Sequence, residues 1–322
     1  MKNAFVFPGQ GSQFVGMGKD LAENFASARE VFQEVDNTLN QNLFALMTGG
    51  PEHELTLTAN TQPALMAVSM AVVRVLEKEF GIALKDKAAF VAGHSLGEYS
   101  AACLPVFEVW LCEGLLSLGL TFMEAFYRVS FAAYCLPPTV CGMAAVIGVS
   151  FKDINALVEA CCDENALCVA ANDNSDGQVV LSGHMAAIDK AVEIAPEFGA
   201  KRCIKLPVSA PFHSPLMQPA AETMARVLME VEARPAEIPL ISNVLAEPVS
   251  DEKEIIKRLV EQVTGTVRWR ETMNYLNDRS VTDVYELGAG KVLSGLFKRS
   301  FKEIHAASVC TPADIEELAK NL

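Results

Sequence analysis

The sequence has a deficit of positive charge and no recognisable metal-binding pattern. Lys and Arg together number 26, against 40 Asp and Glu, so the formal net charge is −14 at pH 7. A chain this acidic lacks the basic surface that binds phosphate backbones, and we expect no nucleic acid partner. Its 9 cysteines contain no C-x-x-C pair, and together with the 5 histidines they show no zinc-ligand spacing. We therefore expect no bound metal, and free thiols in a reducing compartment.

Long hydrophobic runs are also scarce. The N-terminal stretch MKNAFVFPGQG lacks the extended apolar core of a secretory signal peptide. One uncharged window, between Arg128 and Lys152, is nominally long enough to span a membrane. Pro137, Pro138 and Gly142 interrupt this window, and its second half has the pattern of a buried strand. We therefore expect no membrane association and a cytoplasmic location.

The chain nevertheless has ample apolar material, with 51% hydrophobic residues in a length of 322. Residues 4–7 and 88–92 are short apolar runs typical of buried strands, and each leads into a glycine-rich loop. Between them, residues 61–80 place apolar side chains at helical spacing. Farther on, strands are predicted at 240–243 and 283–287, with a helix at 252–262 between them. This alternation indicates an α/β fold with a parallel sheet.

The middle of the chain has a different order of elements. The predicted order is β-α-β-β-α-β, the ferredoxin-like arrangement, with a hairpin turn at Asp176-Gly177. We predict a small subdomain over residues 140–207, inserted into a larger domain formed by residues 1–139 and 208–322. The predicted elements of the subdomain are strand 143–148, helix 152–162, strand 167–171, strand 178–182, helix 185–198 and strand 202–207.

A candidate nucleophile lies directly after the strand 88–92. Residues 93–97 read Gly-His-Ser-Leu-Gly, a G-x-S-x-G motif between an apolar strand and a predicted helix. The glycines permit a sharp turn that exposes the Ser95 hydroxyl at the edge of the sheet. The backbone N–H of Leu96 would then point towards a developing oxyanion.

A serine nucleophile requires a base within hydrogen-bond reach. His213 lies in a proline-framed loop, residues 207–215, which directly follows a predicted strand. Rigid loops of this kind hold catalytic side chains, so the pattern favours His213 as the base. The other histidines are less suitable as the base. His53 and His305 lie in polar or terminal stretches, and His184 lies in the predicted small subdomain. His94 is adjacent to Ser95, but adjacent side chains at such a turn point in different directions.

The glycine-rich loop after the first strand is a candidate oxyanion loop. It reads Pro-Gly-Gln-Gly-Ser-Gln over residues 8–13, and its small residues allow a close approach of the backbone. Gln10 can donate its backbone N–H there. The loop does not fit a dinucleotide-binding fingerprint, because Phe14 occupies the position of the third glycine.

Several further motifs are spread along the chain in a characteristic order. They are FPGQGSQ at 7–13, GHSLGEYSA at 93–101, ANDNSDGQVVLSG at 171–183, SAPFHSPLM at 209–217, SNVLAEPVSD at 242–251, VRWRETM at 267–273 and ELGAGKVLSGL at 286–296. Together they resemble the malonyl-CoA:acyl-carrier-protein transacylase family, the bacterial acyltransferases of fatty acid synthesis. The resemblance covers nearly the whole chain except one window, and many motifs in one order are far more specific than any single motif.

The resemblance implies a fold and an activity. The fold would be an α/β-hydrolase-like large domain with an inserted ferredoxin-like subdomain, in agreement with the layout predicted above. The activity would be a ping-pong transfer of a malonyl group from malonyl-CoA to the phosphopantetheine thiol of acyl carrier protein, through an acyl-serine. Coenzyme A then enters as the carrier of the substrate, and no dissociable cofactor is implied.

The resemblance also implies roles for individual residues. Ser95 would be the nucleophile and His213 its base, and the backbone carbonyl of Gln262 would orient the histidine in place of a carboxylate. The backbone N–H groups of Gln10 and Leu96 would hold the oxyanion.

Two further residues match the substrate pocket of the family. Asn172 matches a pocket residue. Phe212 stands directly before the histidine, where a bulky side chain disfavours α-branched acyl groups.

One residue that the family would supply is missing. In the family, an arginine in the helix after the serine turn pairs with the malonyl carboxylate. Here its position falls on Leu120 or Gly119, and residues 101–127 contain no arginine. Three accounts stay open: the window 103–141 has diverged towards a neutral acyl group, the coding sequence is frame-shifted there, or Arg128 supplies the cation from a new position.

Because the cation is missing, two alternative functions remain open. The first is an acyltransferase or thioesterase for neutral acyl groups, which loss of the cation would permit. The second is a non-catalytic relative that only docks a carrier protein. The presence of Ser95, His213 and Gln10 together argues against this second alternative, because a docking protein has no chemical need for them.

Overall fold

The computed structural model describes residues 2–104, 140–208, 210–231 and 233–322. Within these ranges the strands form two sheets, one of 6 strands and one of 4 strands. The strands are β1 (Asn3–Phe7), β2 (Ala88–Gly93), β3 (Cys141–Ile147), β4 (Cys168–Ser175), β5 (Gln178–His184), β6 (Arg202–Lys205), β7 (Leu240–Ile241), β8 (Pro248–Val249), β9 (Asp283–Leu287) and β10 (His305–Val309).

Helices flank both sheets. Within the described ranges no helix is both long and apolar enough to cross a membrane. The α-helices are α1 (Lys19–Asn24), α2 (Ala26–Leu39), α3 (Leu43–Gly49), α4 (Glu52–Leu55), α5 (Thr58–Lys78), α6 (Leu96–Ala102), α7 (Ile154–Cys161), α8 (Met185–Ile194), α9 (Gln218–Leu228), α10 (Glu252–Gln262), α11 (Trp269–Asp278), α12 (Val292–Ser300) and α13 (Pro312–Asn321).

The larger sheet has the strand order β10-β9-β1-β2-β7-β8. All neighbours are parallel except β8, which runs antiparallel to β7 at one edge. The predicted parallel sheet is therefore confirmed. At its centre Phe7 of β1 pairs with Gly93 of β2, so both strands end at the same edge. This register brings the loop 8–13 next to the turn at residues 93–97.

The central strand β1 is buried on both faces of the sheet, as its unbroken apolar run predicts. Phe5 and Phe7 point into one core cluster, which includes residues of α5. Ala4 and Val6 point into the opposite cluster, against Trp269 of α11. Because successive side chains alternate between the faces, one short strand anchors helices on both sides.

Helix α5 is the longest described helix and passes through the core. It begins three residues before the predicted segment 61–80, because the N–H groups of Asn60 and Thr61 both bond to the carbonyl of Leu57 at 2.8 Å. Every residue from 61 to 76 is buried. The helix is thus enclosed on all sides over these residues, and near its start the hydroxyl of Thr58 accepts a hydrogen bond from the side chain of Gln10 at 3.3 Å.

The smaller sheet is antiparallel, with the order β4-β5-β3-β6. Its elements follow one another as β3, α7, β4, β5, α8 and β6, which confirms the predicted ferredoxin-like arrangement. Strand β4 extends to Ser175, beyond the predicted end at residue 171, because its polar residues continue to pair with β5. All four strands lie within residues 141–205; the domain boundaries at 139/140 and 207/208 stay a prediction.

Strand β4 fastens the small sheet to the large domain. The N–H of Asp173 donates to the carbonyl of Val267, and the N–H of Val267 donates to the carbonyl of Ala171, both at 2.9 Å. The fully buried carboxylate of Asp173 also accepts hydrogen bonds from Arg270, with Nε at 2.9 Å from Oδ2. These contacts fix the position of the neighbouring Asn172.

Candidate active site

Ser95 occupies a sharp turn between β2 and α6. Its backbone has φ 54° and ψ −113°, a conformation that a residue with a side chain rarely adopts. A Cβ on Gly93 would come within 1.9 Å of the backbone of Gly97, and a Cβ on Gly97 would come within 2.0 Å of the carbonyl oxygen of Phe7. Both glycines of the G-x-S-x-G motif are therefore required by close backbone approach.

His213 lies beside the serine. Its Nε2 is 2.7 Å from Ser95 Oγ, and its Nδ1 is 2.8 Å from the backbone carbonyl oxygen of Gln262. Because a carbonyl oxygen only accepts hydrogen bonds, Nδ1 carries the proton and donates it. Nε2 is then free to accept the Ser95 hydroxyl proton. The geometry is that of a serine activated by a histidine, with a carbonyl in place of the usual carboxylate.

Burial keeps the His213 ring neutral. The residue is 4% exposed, and burial lowers its pKa to about 4 against the opposing hydrogen bond to Gln262. The nearby His94 acts on the pKa of His213 in the same direction as burial, with a smaller contribution. At neutral pH the imidazole is therefore unprotonated, which is the form that can take a proton from Ser95.

This low pKa predicts an unusual acid limit for the reactivity of Ser95. The base must be unprotonated, so reactivity is lost as the pH falls through the pKa of His213 in the folded protein. We expect the midpoint near pH 4 instead of the ordinary 6.5. The measurement is the rate of Ser95 phosphonylation by an alkyl fluorophosphonate between pH 3.5 and 8, with circular dichroism at each pH to verify folding. A midpoint above pH 6 would contradict the prediction.

Two backbone N–H groups are placed as candidate oxyanion donors. Leu96 is the first residue of α6, where a backbone N–H has no acceptor within its own helix. The loop that contains Gln10 packs directly against the serine turn, since a Cβ on Gly9 would lie 2.3 Å from the carbonyl oxygen of His94. Gln10 and Ser95 line the same cavity.

That cavity has a volume of about 280 Å³ and lies between the two sheets. Asn172 and Phe212 line it, as the sequence predicts, together with Met143 and Val180 of the small sheet. Its described lining contains several amide side chains but no lysine or arginine. Arg128, the candidate cation, lies outside the described residues, as do the positions 119 and 120.

The structure reveals a second hydrogen-bonding layer that sequence reasoning missed. Asn243, two residues after the end of β7, accepts the N–H of Ser95 through Oδ1 at 2.8 Å and donates from Nδ2 to the carbonyl of Gly93 at 2.6 Å. The side chain of Gln262 donates to the carbonyl of Ser95 at 2.9 Å. Gln262 thus contacts the serine and the histidine with different atoms.

His94 is a further buried group at the cavity that sequence reasoning did not select. Its Nε2 is 2.6 Å from Oδ1 of Asn174, which accepts, so Nε2 carries the proton. Its ring packs edge-on against Trp269, and burial lowers its pKa. The only sequence signal was its position beside Ser95.

In residues 2–104, 140–208, 210–231 and 233–322, no group of three or more His, Cys, Asp or Glu side chains is arranged to hold a metal ion.

The chain is similar to known proteins over nearly its whole length. Residues 4–315 match the acyl transferase domain family. The malonyl CoA-acyl carrier protein transacylase of Bacillus subtilis is 42% identical over 320 residues, which are 98% of this chain and 95% of that protein. An acyl-carrier-protein-S-malonyltransferase from Bartonella henselae superposes with a TM-score of 0.91 at 46% identity, covering 100% of this chain and 99% of that one. A malonyl-transacylase solved in complex with a type II polyketide synthase acyl-carrier protein superposes with a TM-score of 0.90 at 34% identity, over 100% of both chains.

Proposed function

The chain belongs to the acyl transferase domain family, and we propose that it transfers a malonyl group from malonyl-CoA to the phosphopantetheine thiol of acyl carrier protein for fatty acid synthesis. The observation that carries the proposal is the 2.7 Å contact between Ser95 Oγ and His213 Nε2 at a cavity. The names of the relatives supply the substrate class, since they are malonyl transacylases similar to this chain over nearly its whole length.

The first half of the reaction forms an acyl-serine. Ser95 Oγ attacks the thioester carbonyl of malonyl-CoA while His213 Nε2 takes the hydroxyl proton. The negative charge that develops on the carbonyl oxygen is held by the backbone N–H groups of Gln10 and Leu96. When the tetrahedral intermediate collapses, the carbon–sulfur bond breaks and the coenzyme A sulfur leaves with the proton from His213.

The second half reverses these roles. His213 takes the proton from the phosphopantetheine thiol of the carrier protein, and the sulfur attacks the malonyl ester on Ser95. Collapse of this second intermediate returns the proton to Ser95 Oγ. Throughout both halves, the carbonyl of Gln262 holds Nδ1–H of the histidine at 2.8 Å, which keeps Nε2 directed at the serine. The reaction needs no dissociable cofactor.

The substrate pocket combines apolar and amide side chains. Phe212 and Asn172 line it, and we propose that they shape the space for an unbranched acyl group. A carboxylate that enters a partly buried pocket requires a cation or several hydrogen-bond donors. We propose Arg128 as the cation for the malonyl carboxylate, because it is the single Lys or Arg of residues 105–139, where the resemblance places the carboxylate-binding arginine.

Intact-protein mass spectrometry tests the function directly. The protein is exposed briefly to malonyl-CoA or, separately, to acetyl-CoA, and the acylated protein is then mixed with holo acyl carrier protein. We expect a malonyl adduct that maps to Ser95 and is discharged to the carrier. An acetyl adduct alone would overturn the proposal in favour of a neutral acyl group, and no adduct from either would leave only a docking role.

A matched pair of arginine variants tests the proposed cation in the same assay. Arg128→Ala is expected to slow malonylation selectively, without slowing the reaction with acetyl-CoA. Arg226→Ala is the control, because Arg226 is exposed on α9 and bonds only to the half-buried Thr223 among the described contacts. Equal malonylation by both variants would exclude Arg128.

The same proposal includes a partner and a location. The partner is an acyl carrier protein, supported by the similar malonyl-transacylase that was solved with one bound. The location is the cytoplasm, supported by the cysteines of the described ranges, all of which are free thiols as a reducing compartment favours.

A further inference from the structure

Glu98 is a fully buried carboxyl group that the proposed mechanism does not use. It is the third residue of α6, three positions after Ser95, and it is 0% exposed. A buried carboxyl group is costly unless hydrogen bonds satisfy its oxygens. The partners of Glu98 therefore show what keeps it in this position.

Both carboxyl oxygens accept hydrogen bonds from residues that hold the catalytic pair. Oε1 accepts the backbone N–H of Asn243 at 2.9 Å, and Oε2 accepts the side-chain Nε2 of Gln262 at 2.6 Å. Asn243 and Gln262 are themselves 1% and 2% exposed. The contacts are thus shielded from water and from competing partners.

From Glu98, one arm of the network leads through Asn243 to the serine turn. The side chain of Asn243 accepts the N–H of Ser95 at 2.8 Å and donates to the carbonyl of Gly93 at 2.6 Å. These two bonds hold the residues on either side of His94. Strained backbone of the kind seen at Ser95 persists only where the surroundings over-determine it.

The other arm leads through Gln262 to both members of the pair. Its Nε2, while bonded to Glu98, also donates to the carbonyl of Ser95 at 2.9 Å. Its own backbone carbonyl accepts Nδ1–H of His213 at 2.8 Å. The side chain and backbone of one residue therefore connect Glu98 to the serine and to its base.

We propose that Glu98 is a positioning residue for acyl transfer: its carboxyl group fixes Asn243 and Gln262, and through them the backbone of Ser95 and the ring of His213. The inference rests on the proposed function only in that Ser95 and His213 act as nucleophile and base. Glu98 contacts neither substrate nor reacting atoms, and it acts by keeping the two groups 2.7 Å apart.

The electrostatics agree with this role. Burial raises the pKa of Glu98 to about 8, against the hydrogen bonds from Gln262 and Asn243, which lower it. At neutral pH most of the carboxyl group is therefore uncharged. An uncharged Glu98 leaves His213 without a nearby anion that would favour its protonated form, in keeping with the low pKa of the histidine.

The test compares two buried glutamates. Glu98→Gln keeps the size of the side chain but has one acceptor oxygen, so its NH₂ group faces one of the two donors. Glu286→Gln is the matched control: Glu286 is also 0% exposed and accepts two backbone N–H groups, from Leu293 at 3.0 Å and Ser294 at 2.8 Å, and neither of these bonds involves Asn243 or Gln262. Both variants are expected to lower the melting temperature.

The readout is the rate at which Ser95 displaces fluoride from an alkyl fluorophosphonate, together with kcat and KM for malonyl-CoA. We expect Glu98→Gln to slow phosphonylation and to lower kcat by about 10²-fold, as small misplacement of reacting groups does. KM should stay within about 2-fold of the value for the unmodified protein. Glu98 does not contact the substrate, so its replacement should not weaken the binding of malonyl-CoA in the ground state. Glu286→Gln should leave the phosphonylation rate within about 2-fold of the unmodified protein.

Two outcomes would overturn the proposal. One is a phosphonylation rate for Glu98→Gln equal to that of the unmodified protein; the other is an equal loss in both variants, which would mean a general effect of buried glutamates. If Glu98→Gln does not fold, Gln262→Met removes the same arm while keeping the carbonyl for His213, and an unchanged rate would count against the proposal. Because the fluorophosphonate carries no malonyl group, failure of malonyl transfer alone does not affect this result.

Discussion

Replacing Ser95 with alanine is expected to abolish acyl-enzyme formation and to reduce malonyl transfer on the order of 10⁴- to 10⁶-fold, as removal of the nucleophile does in serine enzymes. The change deletes one oxygen at a position where the backbone conformation is set by Asn243 and Gln262, not by the hydroxyl. The fold should therefore persist. Intact-protein mass spectrometry after malonyl-CoA exposure measures the adduct, and a coupled assay measures transfer to the carrier.

The control for this variant is Ser150→Ala. Ser150 lies in the small subdomain, where its hydroxyl bonds to Asp153 at 2.7 Å, and it has no contact with the catalytic pair. It should form the adduct at the rate of the unmodified protein. An adduct of the same yield in Ser95→Ala would mean that another residue is acylated, and the assignment of the nucleophile would be wrong.

Replacing His213 with glutamine is expected to lower kcat by about 10²- to 10⁴-fold, because the general base is lost while the shape of the site is largely kept. The glutamine amide can still donate to the carbonyl of Gln262, so the loop 207–215 retains its anchor. The acid limit near pH 4 should disappear from the phosphonylation profile, since the group that causes it is gone.

His305→Gln provides the matched control. The side chain of His305 is 62% exposed on β10, where it lies 3.2 Å from Asp283. This variant should keep both its rate and its acid limit. If His213→Gln instead keeps the full rate, or if it loses the rate but retains the acid limit, His213 is not the base that activates Ser95.

The predicted bounds of individual helices and strands agree with the structure where the residues that set them are close in sequence. The helix predicted at 252–262 has the same bounds in the structure, because Asp251 caps it locally by accepting the N–H of Glu254 at 2.9 Å. The strand predicted at residues 167–171 is too short, because β4 extends to Ser175 in the structure. Asn172 and its polar neighbours disfavour strand by composition, but they pair with β5 and with Val267 across the fold.

In the candidate site, too, the features set by neighbouring residues could be predicted and the contacts between distant residues could not. The serine turn could be predicted because its glycines and the preceding strand are adjacent in sequence. The pattern of the loop 207–215 favoured His213 as the base, and the resemblance to a family strengthened that choice. In the structure that histidine lies 2.7 Å from a serine 118 residues earlier in the chain.

Neighbouring residues specify the local features of this protein: the apolar strands, the glycine-enforced turn at Ser95 and the β-α-β-β-α-β order. Contacts between groups that are distant in sequence depend instead on how the whole chain packs. The hydrogen bonds that connect Glu98 and Ser95 to Asn243 and Gln262 join residues 145 to 167 positions apart. The low pKa of His213 and the high pKa of Glu98 likewise arise from burial, which is a sum over packing from many parts of the chain.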